Sequence, residues 1–246
     1  MRAWPALLLA LLLCACVSTG DNKQEASRIN TQLGVDYARN GQLQLAEEKL
    51  QRALEQDSRN ASAHSALAFV YQRRGDPELA ERHYRRAVSL SPDDSQVRNN
   101  FGVFLCGRGR SAEGVEFLVQ AARDGRYTTP EVAWTNAGVC FKAKDVDTAE
   151  GYFREALRVN PAFPDALDQM IGICVQKQDY LRARAFMQRY EQTGRSSPQA
   201  LWQAAQAEGA LGDWEAARKY QIRLKREFPD SEEAATMLKT YQNNER

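Results

Sequence analysis

Residues 61–94 read ASAHSALAFVYQRRGDPELAERHYRRAVSLSPDD, and this stretch is one unit of a repeat. Leu33, Leu67 and Phe101 stand 34 residues apart, as do Tyr37, Tyr71 and Leu105, then Gly41, Gly75 and Gly109. Ala46, Ala80 and Gly114 keep the same interval, and so do Ala53, Ala87 and Ala121. Five columns in register exclude coincidence, and apolar residues spaced helically within a period of this size point to stacked helix pairs. After an insertion near Tyr127 to Pro130 the register resumes, with Gly138 and Gly172, Phe141 and Val175, Ala149 and Ala183, and Phe153 and Met187 again 34 apart. A last unit carries Ala205, Gly212, Ala217, Leu224 and Pro229. The units span residues 27–60, 61–94, 95–128, 131–163, 165–197 and 198–231, and residues 232–242 read as a terminal capping helix.

Each recurring residue type has a mechanical task. Gly34, Gly102, Gly138 and Gly172, with Ala68, are placed where the first helix of a pair meets the second, and only a small side chain permits close approach there. Ala46, Ala80, Ala149 and Ala183 do the same from the second helix, while Tyr71, Tyr84, Phe141 and Phe153 fill the remaining volume. Asn40-Gly41, Arg74-Gly75 and Leu211-Gly212 mark turns within units, and Pro92, Pro161 and Pro229 stop second helices. No unit buries its apolar face alone, so the array depends on stacking. The pattern resembles the tetratricopeptide consensus of Trp, Leu-Gly, Tyr, Ala, Phe, Ala and Pro at fixed offsets. It is carried in the second unit by Leu67-Ala68, Tyr71, Gly75-Asp76, Ala80, Tyr84, Ala87 and Pro92, and in the fourth by Trp134, Ala137-Gly138, Phe141, Ala149, Phe153, Ala156 and Pro161. The fifth unit departs most, with no aromatic at the Phe141 position and Gly194 to Pro198 in place of a compact end. The resemblance implies an all-α tetratricopeptide repeat superhelix of about six helix-turn-helix units.

Composition narrows the function. The chain has 246 residues, 43% apolar and 26% charged, so it can bury a core. Its formal net charge of +1, with both signs interspersed, lacks the positive field that recruits nucleic acid. Its histidines are His64 and His83, in successive helices of one unit, with no nucleophile in a recognisable setting. No CxxC or HxxxH spacing and no Gly-rich phosphate loop occurs, so neither a metal nor another cofactor is expected, nor a small-molecule substrate. Acidic pairs such as Glu47-Glu48 and Asp93-Asp94 read as solvated faces and caps. The reading is of a protein that holds other proteins and is not an enzyme.

The first residues differ in kind. Arg2 precedes an apolar run from Ala6 to Leu13 that ends at Cys14-Ala15-Cys16 before a polar stretch, which reads as a signal peptide over residues 1–15. The run is under half of the ~20 residues a spanning helix needs. Leu13-Cys14-Ala15-Cys16 resembles the lipobox of bacterial lipoproteins, with a branched apolar residue three positions before the modified cysteine and a small one just before it. That likeness makes Cys16 the lipidated first residue of the mature chain and residues 16–26 a short tether. Val17 follows, and not the aspartate that retains many lipoproteins at the inner membrane, so the expected address is the outer membrane, facing the periplasm.

Cys106, Cys140 and Cys174 then remain, 34 apart, on first helices of successive units. In an oxidising compartment a pair within reach closes, and Cys106 with Cys140 is the favoured pair, leaving Cys174 free and buried. The alternative is three small buried hydrophobes that never meet, because adjacent helix axes lie about 8–10 Å apart whereas a bridge needs Cα atoms within about 7 Å.

In tetratricopeptide proteins the inner groove is lined by first helices. By that resemblance the groove positions of the first two units are Arg28, Thr31, Val35, Ala38, Arg39, Ser62, Ser65, Phe69, Gln72 and Arg73. The column Val35, Phe69, Val103 and Val139 is apolar where repeat proteins that clamp C-terminal carboxylates carry asparagine, which favours an apolar, extended or helical ligand. A lipobox followed by six such repeats, with the run Asn99-Asn100-Phe101-Gly102-Val103-Phe104-Leu105-Cys106, resembles the type IV pilus pilotin family, the pilus biogenesis and stability lipoproteins (PilF/PilW). The resemblance implies that the protein binds the secretin subunit and helps it reach and multimerise in the outer membrane. Two other readings stand beside it: a lipoprotein scaffold for peptidoglycan enzymes or envelope assembly, and an enzyme regulator or lytic factor with a hidden site.

Overall fold

Helix ends along the chain are set by a recurring turn. Gly75 takes φ 84, the left-handed conformation that glycine adopts without strain, and so ends α3 (Ala61–Arg74). Asp76 then accepts a hydrogen bond from Leu79 N at 3.0 Å, and Pro77 opens α4 (Pro77–Leu90). The structure, a computed structural model, describes residues 5–244, with side chains from 21 to 239. All the described elements are helices, and they fall in two units, Met1–Ala121 and Ala122–Arg246.

The first unit holds α1 (Pro5–Arg39), α2 (Leu43–Gln56), α3, α4, α5 (Ser95–Gly107) and most of α6 (Ser111–Arg123). α1 packs on α2 and α3 on α4, and the first helices also meet one another, α1 against α3 and α3 against α5. Residues 21–26, expected as tether, are helical in α1, and no proline interrupts that helix from Asp21 to Arg39. The signal segment and Cys16 lie outside the residues whose side chains are described. Ala38, Ala46, Leu50, Leu67 and Val70 form one core cluster, and Ala68, Ala80, Tyr84, Phe101, Phe104 and Leu105 another. A Cβ on Gly102 would lie 2.8 Å from the Gly114 carbonyl oxygen and 2.7 Å from Leu118 Cγ, so any larger residue there would push the α5–α6 pair apart. Leu33 departs from its column: it is 42% exposed whereas Leu67 and Phe101 are buried, because no described helix pair precedes α1 to cover it.

The second unit holds α7 (Pro130–Phe141), α8 (Val146–Val159), α9 (Pro164–Gln176), α10 (Tyr180–Gln192), α11 (Pro198–Ala210), α12 (Trp214–Glu227) and α13 (Glu232–Asn244). Asp145, Asp179 and Asp213 cap α8, α10 and α12 as Asp76 caps α4. The fifth repeat, the weakest match by sequence, forms a regular pair, α9 on α10. Gln178 (φ 59) there occupies the left-handed position directly before the capping aspartate, where Gly75 and Gly212 stand in their own repeats. Gly172 also differs from expectation. A Cβ on it would meet Gln203 Nε2 at 2.9 Å, on α11 of the next repeat, and not the second helix of its own pair. Gly138 behaves as expected, its added Cβ meeting the Phe153 ring at 2.5 Å. α13 seals the last pair by packing Ala234 and Met237, both buried, against α11 and α12. No described helix is long and apolar enough to cross a membrane.

Candidate functional site

The residues expected to face a partner divide into two sets. Arg28, Ser62, Phe69, Gln72, Arg73 and Arg39 are exposed and Val35 is half-buried, so they are open to a ligand. Thr31, Ala38 and Ser65 are buried, which removes them from the partner-binding set. The reason is local. Asn60, the cap of α3, donates from Nδ2 to Ser27 Oγ at 2.9 Å and to Thr31 Oγ1 at 3.1 Å, while Thr31 donates to the Ser27 carbonyl oxygen. Ser65 Oγ accepts from Asn100 Nδ2 at 3.1 Å, across the α3–α5 contact. Ala38 is part of the core beside Leu50 and Leu67. Each of these small polar or apolar side chains is spent on holding successive first helices together.

What remains is an apolar row framed by cations. Phe69 is 38% exposed and Val103 40%, with Val35 on the neighbouring helix. Because α1, α3 and α5 pack side by side, the three positions form a row with a step of about 8–10 Å. The Arg73 guanidinium carbon lies 5.8 Å from the Phe69 ring centroid, a cation–π contact that steadies an otherwise free aromatic. Arg39, one repeat earlier, reaches Asp36 at 3.8 Å on an open surface, a pair worth little in water. In the second unit Val139 is 54% exposed, but Ile173, next in the column, is fully buried. Gln203 of α11 lies against the adjoining Gly172, and the accessible column ends at the buried Ile173.

Sequence reasoning missed the polar clamps between repeats. Glu47, read as part of a solvated face, accepts from the Tyr71 hydroxyl at 3.2 Å and pairs with Arg74, joining the first repeat to the second. In the second unit Glu150 is buried and receives Arg154, Lys177 and Arg182. Glu208, also buried, receives Arg184. Glu47 and Glu150 each stand 27 residues before a cation they hold, Arg74 and Lys177, but a buried carboxylate on an amphipathic helix looks like any surface one until the neighbouring helix is placed. Cys174 is a free thiol buried beside Ala183 and Ala207, and burial pushes its pKa up, which makes it inert. Among the described residues no group of three or more His, Cys, Asp or Glu side chains could hold a metal ion.

Small residues at helix crossings, a left-handed turn and a capping aspartate, repeated along paired helices, define a tetratricopeptide-repeat protein. Tetratricopeptide repeat families match residues 25–93 and 199–231. The type IV pilus assembly protein PilF of Pseudomonas aeruginosa is 31% identical over 94% of this chain and 95% of its own length. The solved structure of P. aeruginosa PilF superposes with a TM-score of 0.79 at 30% identity, covering 89% of this chain and 99% of that one. The crystal structure of PilW, a widely conserved type IV pilus biogenesis factor, gives 0.76 at 32% identity, covering 86% and 98%. The chain belongs to the PilF/PilW family.

Proposed function

We propose that this chain is a lipid-anchored outer-membrane protein of type IV pilus biogenesis that binds the secretin subunit and promotes its localisation and multimerisation. The observation that carries the reading is the apolar row in which Phe69 and Val103 are exposed and Val35 is half-buried. Apolar side chains left accessible on adjacent helices, inside a fold whose neighbouring positions are packed away, favour a protein ligand with an apolar stripe of its own. Membership of the PilF/PilW family supplies the pilus context. The Leu13-Cys14-Ala15-Cys16 segment supplies the anchor, with Cys16 as the acylated residue. On this reading the lipid gives the address and the row gives the grip, and the chain does no chemistry of its own. A Cys106–Cys140 bridge belongs to the same proposal, as the staple expected of a periplasmic protein.

Replacing Cys16 by alanine in cells tests the carrier role. The expected result is a protein lost from the outer membrane and secretin left as monomers. Normal secretin multimers in that strain would refute it.

A further inference from the structure

His64 on α3 and His83 on α4 face each other inside the second repeat, Nδ1 to Nδ1 at 2.9 Å. Their ring centroids are 5.1 Å apart. Imidazoles aimed nitrogen to nitrogen at this separation have centroids about 5.2 Å apart, whereas two converging at right angles on one zinc-like ion would bring them to about 4.5 Å. The pair is therefore a head-on hydrogen bond and not a chelate. One ring must donate and the other accept. The far side of His64 decides which, because its Nε2 sits 3.2 Å from the Ser58 carbonyl oxygen, an acceptor only. Nε2 of His64 carries a proton, its Nδ1 accepts, and His83 donates from Nδ1.

A second proton at this contact has little to welcome it. Both rings are about half-buried, and Arg82 and Arg86 on α4 add positive charge. Asp57, in the turn after α2, is the opposing carboxylate acting on His64. Tyr71 on α3 presents its ring 5.4 Å from that of His83, and the two line an open hollow of about 390 Å³ with Gln51, Leu54, Glu55 and Leu67.

We propose that the His64–His83 pair is an acid-sensitive clasp between α3 and α4, closed while one proton lies between the two Nδ1 atoms and opened when each carries its own. Burial, the charge of His64 and that of Arg82 push His83 down to about 4, and burial lowers His64 as well. With both folded-state values depressed, the clasp's contribution is complete above the ordinary histidine value and is lost as pH falls from ~6.5 through about 4. Because α3 also carries Phe69, the device ties acidity to the helix that presents the apolar row.

Nitrogen-resolved NMR of the full chain near pH 7.5 is expected to show His64 protonated at Nε2 and His83 at Nδ1, with both rings titrating below about 6.5. Opposite tautomers, or two rings titrating near 6.5, would overturn the proposal. His83→Gln keeps a hydrogen-bonding partner that does not titrate. The melting temperature of the native chain relative to this variant should drop by several degrees between about pH 7.5 and pH 4.5. A constant difference would overturn the clasp, and if the variant does not fold, the tautomer measurement on the native chain decides alone.

Discussion

Glu150 sits on α8 with 6% of its surface exposed, and three cations from two helix pairs converge on it. Burial alone would raise its pKa, but hydrogen bonds from Arg182 and Lys177 outweigh it and bring the carboxyl down to about 2. A depressed carboxylate stabilises the fold above its unfolded value, so this contribution is present above about pH 4.5 and fades as pH falls towards 2. Glu150→Gln should cost about 2 kcal/mol at neutral pH, less than the ~3–5 kcal/mol for breaking a fully buried pair, since Lys177 and Arg182 stay partly wet. An unchanged urea midpoint would deny the cluster any role. Core residues follow plainer rules. Phe153, fully buried under Gly138, should lose about 3–5 kcal/mol on truncation to alanine, read by the same denaturation. Gly138, Phe153 and the alanine columns were legible because size alone decides those positions. Thr31, Ser65 and Glu150 were not, because their burial depends on Asn60, Asn100 and Arg182, each contributed by a different helix.

At the scale of the element, helix ends were the most readable feature. Glycine turns and capping side chains act within a few residues, so spacing along the chain suffices to see them. Asp76, Asp179 and Asp213 each accept a backbone N–H three residues on. Asp213→Ala should cost about 1 kcal/mol, and a melting temperature equal to the native one would show that the cap is idle. The fifth pair forms despite its weak motif because the cap at Asp179 survives and Gln178 tolerates the left-handed turn that glycine takes elsewhere. Which face of a first helix stays open was harder to read: the column containing Phe69 was visible, but its neighbours at Thr31, Ala38 and Ser65 vanish into contacts between first helices. On the proposed function, Phe69→Asp should leave the helical circular dichroism intact while weakening partner binding at least tenfold, since a charge would replace the central side chain of the proposed row. Lost helicity would instead make Phe69 a stabilising residue of α3.

For the molecule as a whole, six helix pairs and a terminal helix account for nearly all of the described chain, and PilF of Pseudomonas aeruginosa matches it along almost its entire length. A repeat that cannot bury its apolar face alone turns a short motif into a long protein, which is why period and residue size were enough to read the architecture. Anchor and partner lie beyond such reasoning, since no packing rule names a lipid or a secretin. Alkylation of the unfolded, unreduced mature chain should label Cys174 and leave Cys106 and Cys140 unmodified, and labelling of all three would remove the proposed bridge. Co-purification from detergent-solubilised outer membrane shows whether the row around Phe69 holds the secretin subunit, as proposed. Secretin is expected with the native chain and is expected to be lost with Phe69→Asp; equal secretin recovery with both proteins, or peptidoglycan hydrolases in its place, would rule that role out.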